Sequence, residues 1–276
     1  MHINTIAEAA DELFHLLRQQ EPLTVLTGAG ISTDSGIPDY RDSQGAWKKA
    51  PPMQHQEFMS SAPARQRYWA RSLHGWPTLY RAKPNSAHTA LATWQQQGLV
   101  GTIITQNVDG LHQRAGGSQV IDLHGDANAM LCMECGQRSP RLHMHERCLA
   151  LNTHYADMTP EVGADGDSHL EGDFSDFLVP DCTACGGILK PDVVYFGDNV
   201  PRARVEQAQQ ALANSRGLLV IGSSLMVFSG FRFARQAHQA QQPLALLNIG
   251  KTRADDIADL RLQVHIEPTL RHLIER

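Results

Sequence analysis

The sequence predicts an α/β protein whose core is a doubly wound, parallel, Rossmann-like sheet, with an inserted small module and a small helical lobe. Short aliphatic runs typical of buried parallel strands alternate with runs of helical periodicity over most of the chain. A Gly-Ala-Gly turn follows the first strand run, where open α/β sheets place their phosphate-binding loop. Two Cys-x-x-Cys pairs lie in a region where the alternation stops.

The predicted elements keep this alternating order along the chain. Acidic residues in the early turns and apolar residues at helical spacing predict a first helix within Met1–Gln20. The later strands are marked by aliphatic and β-branched runs, and the later helices by helical periodicity. They are strand Leu23–Thr27, helix Ser86–Gln97, strand Gly101–Thr105, strand Gln119–Leu123, helix Pro201–Ala213, strand Gly217–Ile221, helix Phe231–Gln241 and strand Leu244–Ile249.

The periodic segments divide the chain into two parts. Residues 1–125 and 190–276 are predicted to form the Rossmann-like, nucleotide-binding domain, with the helical lobe at about 42–85. Residues 126–189 are predicted to form the inserted module, because cysteines, histidines and an acidic stretch at Tyr155–Asp176 replace the alternation there.

The composition is typical of a globular protein and argues against two classes of partner. Of the 276 residues, 42% are hydrophobic and 19% charged, and no apolar run is long enough to span a bilayer. The net charge of −5 and the isoelectric point near 6.3 give no basic surface for nucleic acid. Because the N-terminal stretch is acidic and not basic, we expect a cytoplasmic protein. The sequence does not predict the oligomeric state.

The turn after the first strand is a candidate phosphate site. Gly28 and Gly30 permit a tight turn in which backbone N–H groups face an anion such as a diphosphate. The alternative is a plain chain reversal, since such a turn alone is weak evidence. A dehydrogenase would carry an acidic residue about 20 positions further on to hold the ribose. That region reads Gly45-Ala46-Trp47-Lys48-Lys49, which argues against simple hydride transfer.

The cysteines of the inserted module predict a structural zinc site. They form two Cys-x-x-Cys pairs, Cys132 with Cys135 and Cys182 with Cys185, and the glycine after each pair is expected to free backbone N–H groups to approach sulfur. Two disulfides or a redox pair are the alternatives, but the chain shows no export signal and a redox site needs only one pair. Four thiolate ligands leave no position for water, so the metal is expected to hold the fold.

The fifth cysteine has a plainer interpretation. Cys148 is expected to be a buried thiol, and the neighbouring His143, His145 and His154 to be surface residues.

A third cluster follows two neighbouring strands. Asn107 and Asp109 come just after one predicted strand and His124 just after the next, at the edge where open α/β sheets bind ligands. Asn107 and Asp109 could read a carboxamide, one donating to its oxygen and the other accepting from its amino group. His124 could act as a base near neutral pH. Taken singly, the first two could be turn formers and the histidine a strand-end residue bonded to backbone.

Together these motifs resemble the sirtuin family, the NAD-dependent protein deacylases, over nearly the whole chain and in the family's order. The matching segments are Gly28–Arg41, Gln106–Asp109, His124-Gly125, the four cysteines, Lys190–Gly197, Gly222–Leu225 and Asn248–Gly250. The detail is similar to class II, the branch with many bacterial members. The segments that carry this detail are Tyr40 in Pro-Asp-Tyr-Arg, Gln106–Gly116, and Asn248–Arg253 followed by Asp255-Asp256.

The resemblance implies that NAD is a co-substrate, with its diphosphate on the glycine turn. It implies catalytic roles for His124, Asn107 and Asp109: the acyl oxygen displaces nicotinamide at the ribose, and His124 then removes a ribose hydroxyl proton. The products are free lysine, O-acyl-ADP-ribose and nicotinamide. The implied cofactor contacts are Gly28, Ala29, Gly30, Ile31, Ser32, Ile37, Asp39, Tyr40, Arg41, Gln106, Asn107, Val108, Asp109, Gly222, Ser223, Ser224, Asn248, Ile249, Gly250 and Ile266, the last through its backbone alone.

The resemblance also implies acyl-lysine proteins as substrates, bound as an extended strand between Val193–Gly197 and Leu225–Ser229. The implied contacts are Val193, Val194, Phe196 and Gly197. Tyr68 and Arg71 resemble the pair by which another sirtuin class reads acidic acyl groups, and a guanidinium fork suits a carboxylate. The alternatives are a helix surface with solvated arginines, or a longer or uncharged acyl group such as lipoyl.

Two other functions stay open at this point. A protein mono-ADP-ribosyltransferase would use the same NAD site and pass ADP-ribose to a side chain. A noncatalytic NAD-sensing scaffold would bind the cofactor without releasing nicotinamide, but Asn107, Asp109 and His124 argue against it.

Overall fold

The computed structural model describes residues 1–48, 52–156, 161–162, 168–169 and 172–274. Lys49 and part of the acidic stretch within Tyr155–Asp176 lie outside these ranges. The strands and α-helices are, in chain order, β1 (His2–Ile3), α1 (Ile6–Gln19), β2 (Leu23–Thr27), α2 (His55–Ser60), α3 (Ala62–Arg81), α4 (Ser86–Gln96), β3 (Val100–Thr105), α5 (Leu111–Arg114), β4 (Val120–Asp122), β5 (Gly125–Cys132), β6 (Arg138–Pro140), α6 (Arg141–Leu151), β7 (Glu161–Val162), β8 (Ser168–His169), β9 (Leu189–Val193), α7 (Arg202–Ala213), β10 (Leu218–Ile221), α8 (Phe228–Gln239), β11 (Leu244–Leu247), β12 (Leu260–Leu262) and α9 (Ile266–Ile274).

The large sheet is parallel throughout and has the strand order β1-β12-β11-β10-β2-β3-β4. From β2 the chain order runs outwards to β4 on one side, and from β10 it runs outwards to β12 on the other. The boundary between β2 and β10 is therefore the switch point of the sheet. All of β2 is buried, as expected for an aliphatic strand covered on both faces. The predicted doubly wound parallel sheet is confirmed.

Helices cover both faces of this sheet. On one face α1, α4 and α9 pack against strand residues that include Val25 and Ile103. On the other face α7 and α8 pack against the alternate residues, which include Leu26 and Ile104. Within the described part of the chain, every helix is too short or too polar to cross a bilayer.

Several element boundaries differ from the sequence prediction, and the largest differences follow from backbone hydrogen bonding. The first helix begins only at Ile6, because β1 pairs with β12 as a short edge strand. Helix α8 begins about one turn earlier than predicted, at Phe228, since the carbonyl of Val227 accepts the N–H groups of Gly230 and Phe231. Strand β11 ends at Leu247, two residues earlier than predicted, and beyond it the N–H of Asn248 still donates to the carbonyl of Leu262 in β12 at 3.1 Å.

A second sheet, of order β6-β5-β9, lies in the central part of the chain, and β5 pairs antiparallel with both neighbours. Its residues share a hydrophobic core with α2, α3 and α6, in which Phe58, Trp69, Met130 and Met144 are buried. The helical lobe and the inserted module therefore pack together. We keep the division at residues 126–189 as a proposal.

Candidate functional site

A cavity of about 640 Å³ opens at the carboxyl ends of the parallel strands, beside the switch point between β2 and β10. This is where open α/β sheets bind ligands. The predicted site residues that line it are Gly28, Ala29, Gly30, Asp39, Tyr40, Arg41, Tyr68, Gln106, Asn107, Val108, His124, Val193, Val194, Phe196, Gly197, Gly222, Ser223, Ser224, Asn248, Ile249, Gly250 and Ile266. Those that are not among the described lining residues are Ile31, Ser32, Ile37, Arg71 and Asp109.

Two glycine turns meet at the switch point. A Cβ on Gly28 would lie 2.7 Å from the carbonyl oxygen of Gly222, and a Cβ on Gly30 would lie 2.9 Å from the Cα of Gly222. The close approach therefore requires glycine at both positions. The N–H of Gly28 donates to Ile221 at 3.0 Å, and that of Gly30 to Gly222 at 2.9 Å. These two N–H groups, which were expected to face an anion, therefore form hydrogen bonds within the protein that stabilise the turn.

A polar network lies behind this turn. The Ser32 hydroxyl donates to Asp109 Oδ2 at 2.8 Å and accepts from Asn107 Nδ2 at 3.1 Å. Asn107 Nδ2 also donates to the Gly28 carbonyl at 3.1 Å, and Asp109 Oδ1 accepts from the N–H of Leu111 at 2.8 Å. Since both amide hydrogens of Asn107 are engaged, it offers a ligand its carbonyl oxygen and not a donor. Burial raises the pKa of Asp109, while its hydrogen bonds act in the opposite direction.

Two buried histidines lie next to this network. His88 Nε2 is 3.5 Å from the Ser32 hydroxyl, His112 Nε2 is 2.9 Å from the Thr27 hydroxyl, and the two ring centroids are 4.9 Å apart. Burial, helped by Arg114, lowers the pKa of His88 to about 4. Burial, helped by His88, lowers the pKa of His112 well below its ordinary value. Both imidazoles are neutral at pH 7.

The sequence prediction did not include His88, although a signal for it exists. His88 and Asn85 form a reciprocal capping box at the start of α4. An asparagine three positions before a polar residue at a helix start is the sequence pattern of such a box.

His124 is held on the cavity wall by two hydrogen bonds. Its Nδ1 is 3.0 Å from the carbonyl oxygen of Gln106, and its Nε2 is 2.8 Å from the hydroxyl of Ser229. Because a carbonyl oxygen only accepts, Nδ1 carries the proton and Nε2 accepts from Ser229. Burial lowers the pKa of His124 to about 4, partly opposed by the Gln106 carbonyl. The residue is therefore a neutral imidazole whose basic nitrogen is Nε2.

Two side-chain partners at this site join distant parts of the chain. Ser229 is hydrogen-bonded to His124, which is 105 positions away along the chain. The Ser223 hydroxyl donates to Gln106 Oε1 at 2.6 Å, although the two residues are 117 positions apart. The sequence placed Ser229 only within a peptide-binding segment. No local pattern could have paired these residues, since the sheet alone brings them together.

The two segments predicted to hold a peptide border the same cavity. The N–H of Val194 donates to the carbonyl of His124 at 2.8 Å, which ties the first segment to the histidine. Further along, the carbonyl of Phe196 accepts from the N–H of His55 at 2.8 Å, so the start of α2 occupies part of that edge. In the second segment Leu225 has a left-handed backbone with φ of 56°, and its N–H donates to the Ser223 hydroxyl at 3.2 Å.

A buried arginine lines the cavity near Tyr68. Arg141 is only 2% exposed, and its guanidinium carbon lies 5.1 Å from the ring centroid of Trp69. It donates to the hydroxyl of Ser72 and, at 3.4 Å, to the carbonyl of Ala127. Among the described residues, no carboxylate forms an ion pair with it. The sequence prediction missed Arg141, because nothing in its local pattern distinguishes it from a solvated arginine.

The four predicted metal ligands converge. The Sγ atoms of Cys132, Cys135, Cys182 and Cys185 all lie within 4.8 Å of one another. The Cys132 and Cys185 sulfurs are 3.5 Å apart and the Cys135 and Cys182 sulfurs 3.9 Å, far longer than a disulfide bond. These distances are close to the edge of a tetrahedron with zinc–sulfur bonds of about 2.3 Å. The cysteines are positioned to bind a metal ion, consistent with structural zinc.

The glycines after the cysteine pairs act differently from the prediction. Gly136 and Gly186 have left-handed backbones, but their N–H groups donate to the carbonyls of Cys132 and Cys182 and not to sulfur. One of the N–H groups that do approach sulfur is that of Cys135, at 3.5 Å from Cys132 Sγ. Glycine is therefore needed here for the tight turn.

The residues near the fifth cysteine agree only partly with the prediction. Cys148 is buried, as predicted, and burial raises the pKa of its thiol to about 12. His143 and His154 are exposed. His145, predicted to be at the surface, is half-buried with its ring 5.1 Å from that of Trp76, and burial lowers its pKa to about 4.

Comparison with other sequences points to a single family. The sequence model of the Sir2 family matches residues 28–229. A protein of Bradyrhizobium diazoefficiens named NAD-dependent protein deacetylase 2 is 50% identical, over 96% of this chain and 98% of its own. An NAD-dependent protein deacetylase of Bordetella bronchiseptica is 51% identical, over 92% of this chain and 93% of its own.

Solved structures agree with these sequences. A Sir2 protein with a p53 peptide and NAD⁺ superposes with a TM-score of 0.77 at 30% identity, covering 96% of each chain. A Sir2 protein bound to a propionylated peptide superposes with a TM-score of 0.75 at 30% identity, covering 96% of this chain and 97% of its own.

Proposed function

Because the chain belongs to the Sir2 family and is an NAD-dependent protein deacetylase, we propose that its cavity brings NAD and an acyl-lysine peptide together over His124. The observation that carries this proposal is that the Gly28 turn, Asn107, His124 and Val193–Gly197 line one cavity. A relative solved with both a peptide and NAD⁺ supports it.

The residues present fit NAD. The glycine turns at Gly28 and Gly222 line the cavity at the switch point, and the carbonyl oxygen of Asn107 is available there. When bound, NAD would supply the ribose carbon that accepts the acyl oxygen as nicotinamide leaves. The cofactor contacts implied by the sequence resemblance are proposed here on the same ground.

Asn107 and Asp109 take different parts in this proposal. The Asn107 carbonyl oxygen accepts from the carboxamide of the nicotinamide group, because its own hydrogens are already donated. Asp109 does not line the cavity; it holds Ser32, which holds Asn107, and the buried Ile31 and Ile37 provide apolar packing beside them. This differs from the expectation that one of the two residues donates to the carboxamide.

His124 acts as the base in this proposal. Its Nδ1 proton is donated to Gln106, which leaves Nε2 to take a proton from a ribose hydroxyl. The Ser229 hydroxyl now bonded to Nε2 must turn away or be displaced when the substrate hydroxyl arrives. Since the pKa of His124 is lowered to about 4, the base is in its reactive form at neutral pH.

Two arginines are candidates for selecting the acyl group. We propose that Tyr68 and Arg71 contribute to acyl choice, and the buried Arg141 on the cavity wall is a second cation for the same role. Replacing either arginine by methionine should weaken removal of succinyl or glutaryl groups more than removal of acetyl. Equal losses on acetyl and succinyl peptides would exclude that arginine.

Two further assignments are proposals of the same kind. The sequence detail favours the class II branch and bacterial-type members, and the cytoplasm is the expected location. Complexes of two Sir2 relatives with peptides, one of them propionylated, support binding of an acylated peptide, and we propose that it binds as an extended strand.

The test is to incubate the protein with NAD and acyl-lysine peptides and to measure nicotinamide, deacylated peptide and O-acyl-ADP-ribose together. Equal amounts of all three support the proposal. ADP-ribose attached to a protein side chain would instead support a transferase. Binding of NAD without nicotinamide release would support a sensor.

A further inference from the structure

An exposed phenylalanine at the edge of the cavity is surrounded by arginines. Phe228 is 44% exposed, and the guanidinium carbons of Arg232, Arg235 and Arg253 lie 5.3, 5.2 and 6.0 Å from its ring centroid. Arg232 and Arg235 follow Phe228 on the same face of α8, since they are four and seven positions further on. Arg253 comes from the loop after β11. We call these four residues the arginine rim.

The charge of the rim is not neutralised within the described part of the chain. None of its three arginines forms an ion pair with a described carboxylate. Arg253 donates to the carbonyl of Met226 at 3.4 Å, and the Nε of Arg232 is buried without a hydrogen-bond partner. Three positive charges therefore gather at one place in a chain whose net charge is −5.

The acidic residues that line the cavity are, by contrast, all partnered. Asp39 pairs with Lys48, and Asp198 lies 3.3 Å from His55. Asp42 accepts from backbone N–H groups of its own turn. The described carboxylates of the cavity wall thus leave the rim available to an outside anion.

The rim begins next to the reacting atoms. Phe228 precedes Ser229, whose hydroxyl is 2.8 Å from His124 Nε2, and both Phe228 and Arg232 line the cavity. The N–H of Arg253 donates to the carbonyl of Ser224 at 2.8 Å, which fixes its loop to the same wall. When an acyl-lysine reaches His124, the residues beside it in the peptide therefore lie within reach of the rim.

We propose that the arginine rim binds acidic side chains of the substrate protein beside the acyl-lysine, so that the enzyme selects acyl-lysines in acidic sequence. This rests on the proposed function, and it adds a side-chain preference that main-chain pairing cannot provide. Guanidinium groups bind carboxylates in a two-point fork, and Phe228 provides an apolar surface for the methylene groups of a glutamate.

The size of the rim limits the preference to a few positions. From Phe228 to Arg235 the helix rises about 10 Å at about 1.5 Å per residue. An extended peptide covers that length in about three residues. The preference should therefore fall on two or three positions on one side of the acyl-lysine, and not on both.

The experiment compares acetyl-lysine peptides that carry glutamate, glutamine or lysine at each of the three positions on either side. At saturating NAD and low salt, glutamate on one side should raise kcat/KM about 3- to 10-fold over glutamine, and high salt should reduce the gain. Peptide binding measured by fluorescence anisotropy should show the same preference. That measurement reports on the rim even if turnover, and with it the proposed function, fails.

Charge reversal supplies the decisive variant. The double variant Arg235→Glu, Arg253→Glu should prefer lysine peptides to glutamate peptides, with the KM for NAD unchanged. Arg18→Glu is the matched control, because Arg18 lies 5.9 Å from the ring of Phe14, an equally exposed phenylalanine on α1. The proposal is overturned if glutamate gives no gain, if the Arg18 variant behaves like the rim variant, or if the rim variant changes the KM for NAD in place of peptide preference.

Discussion

The Nε2 atom of His124 lies 2.8 Å from the hydroxyl oxygen of Ser229, so the base on the cavity wall already accepts a hydrogen bond before substrate arrives. The Gln106 carbonyl holds the opposite ring nitrogen in its protonated form. The hydroxyl can donate to the neutral ring or turn to accept from a protonated one, so it does not by itself set the charge of the imidazole. Burial of the ring is what lowers the pKa of His124 to about 4.

The first prediction concerns the acidic limit of activity. His124 must be neutral to act as a base, so kcat/KM should fall only as the pH drops towards about 4, the lowered pKa of this residue. Ser229→Ala removes the hydroxyl and leaves the ring buried, so this limit should stay near pH 4. His124→Ala should lose activity at every pH. A wild-type limit near the ordinary histidine pKa of about 6.5 would contradict the assignment.

The second prediction concerns stability in acid. Unfolded histidine has a pKa of about 6.5, whereas burial lowers that of native His88 to about 4. Between these values the unfolded state binds more protons, so the contribution of His88 to the free energy of unfolding falls as the pH falls, by about 1.4 kcal/mol per pH unit. Urea unfolding of the wild type and of His88→Gln at pH 7 and pH 5 measures it. The variant should lose less stability between the two, and equal losses would contradict this account.

The third prediction separates the fold from the chemistry at Asp109. Asp109→Asn keeps the shape of the side chain and removes a buried carboxylate. Because burial already raises the pKa of that carboxyl group, the free energy of unfolding should change little. The charge-assisted bond from Ser32 would be lost, which should slow nicotinamide release on the order of 10-fold or more. Melting temperature and nicotinamide release of the two proteins provide the check. A large loss of stability with unchanged turnover would reverse the assignment.

The fourth prediction concerns the four-cysteine site. Cys135→Ala should remove the metal and lower the melting temperature, because three thiolates bind zinc less tightly than four. Cys148→Ala is the control: it lies outside the metal site, so the zinc content should stay at one ion per chain. Metal analysis and thermal unfolding measure both. Unchanged metal content in the Cys135 variant would contradict the ligand set.

The sequence predicted what depends on local pattern. The run at Leu23–Thr27 is aliphatic because helices cover both faces of the strand, so its burial could be predicted from composition. The Cys-x-x-Cys spacing by itself brings two thiolates close enough to bind one metal ion. Residues that follow neighbouring parallel strands could also be predicted to lie close together, since the carboxyl ends of such strands share one edge of the sheet.

What the sequence could not predict depends on partners far along the chain. The pairing of β1 with β12 decides where the first helix begins, and Asn107 becomes an acceptor only because Gly28 and Ser32 take its hydrogens. Arg141 shows the same limit, since its burial depends on Trp69 and Ser72 in a helix that the sequence does not connect with it.

The hydrogen bond from Val194 to the carbonyl of His124 has a consequence for which lysine is modified. The paired residues Gly125 and Val193 fix the distance from the histidine to the edge on which we propose that the peptide docks. Side chains of an extended strand point alternately to opposite faces. A lysine next to the acylated one would therefore point away from the histidine. In a tail with several adjacent lysines, each bound register would therefore present one acyl-lysine to the histidine, and the next lysine would require the peptide to dock again in another register.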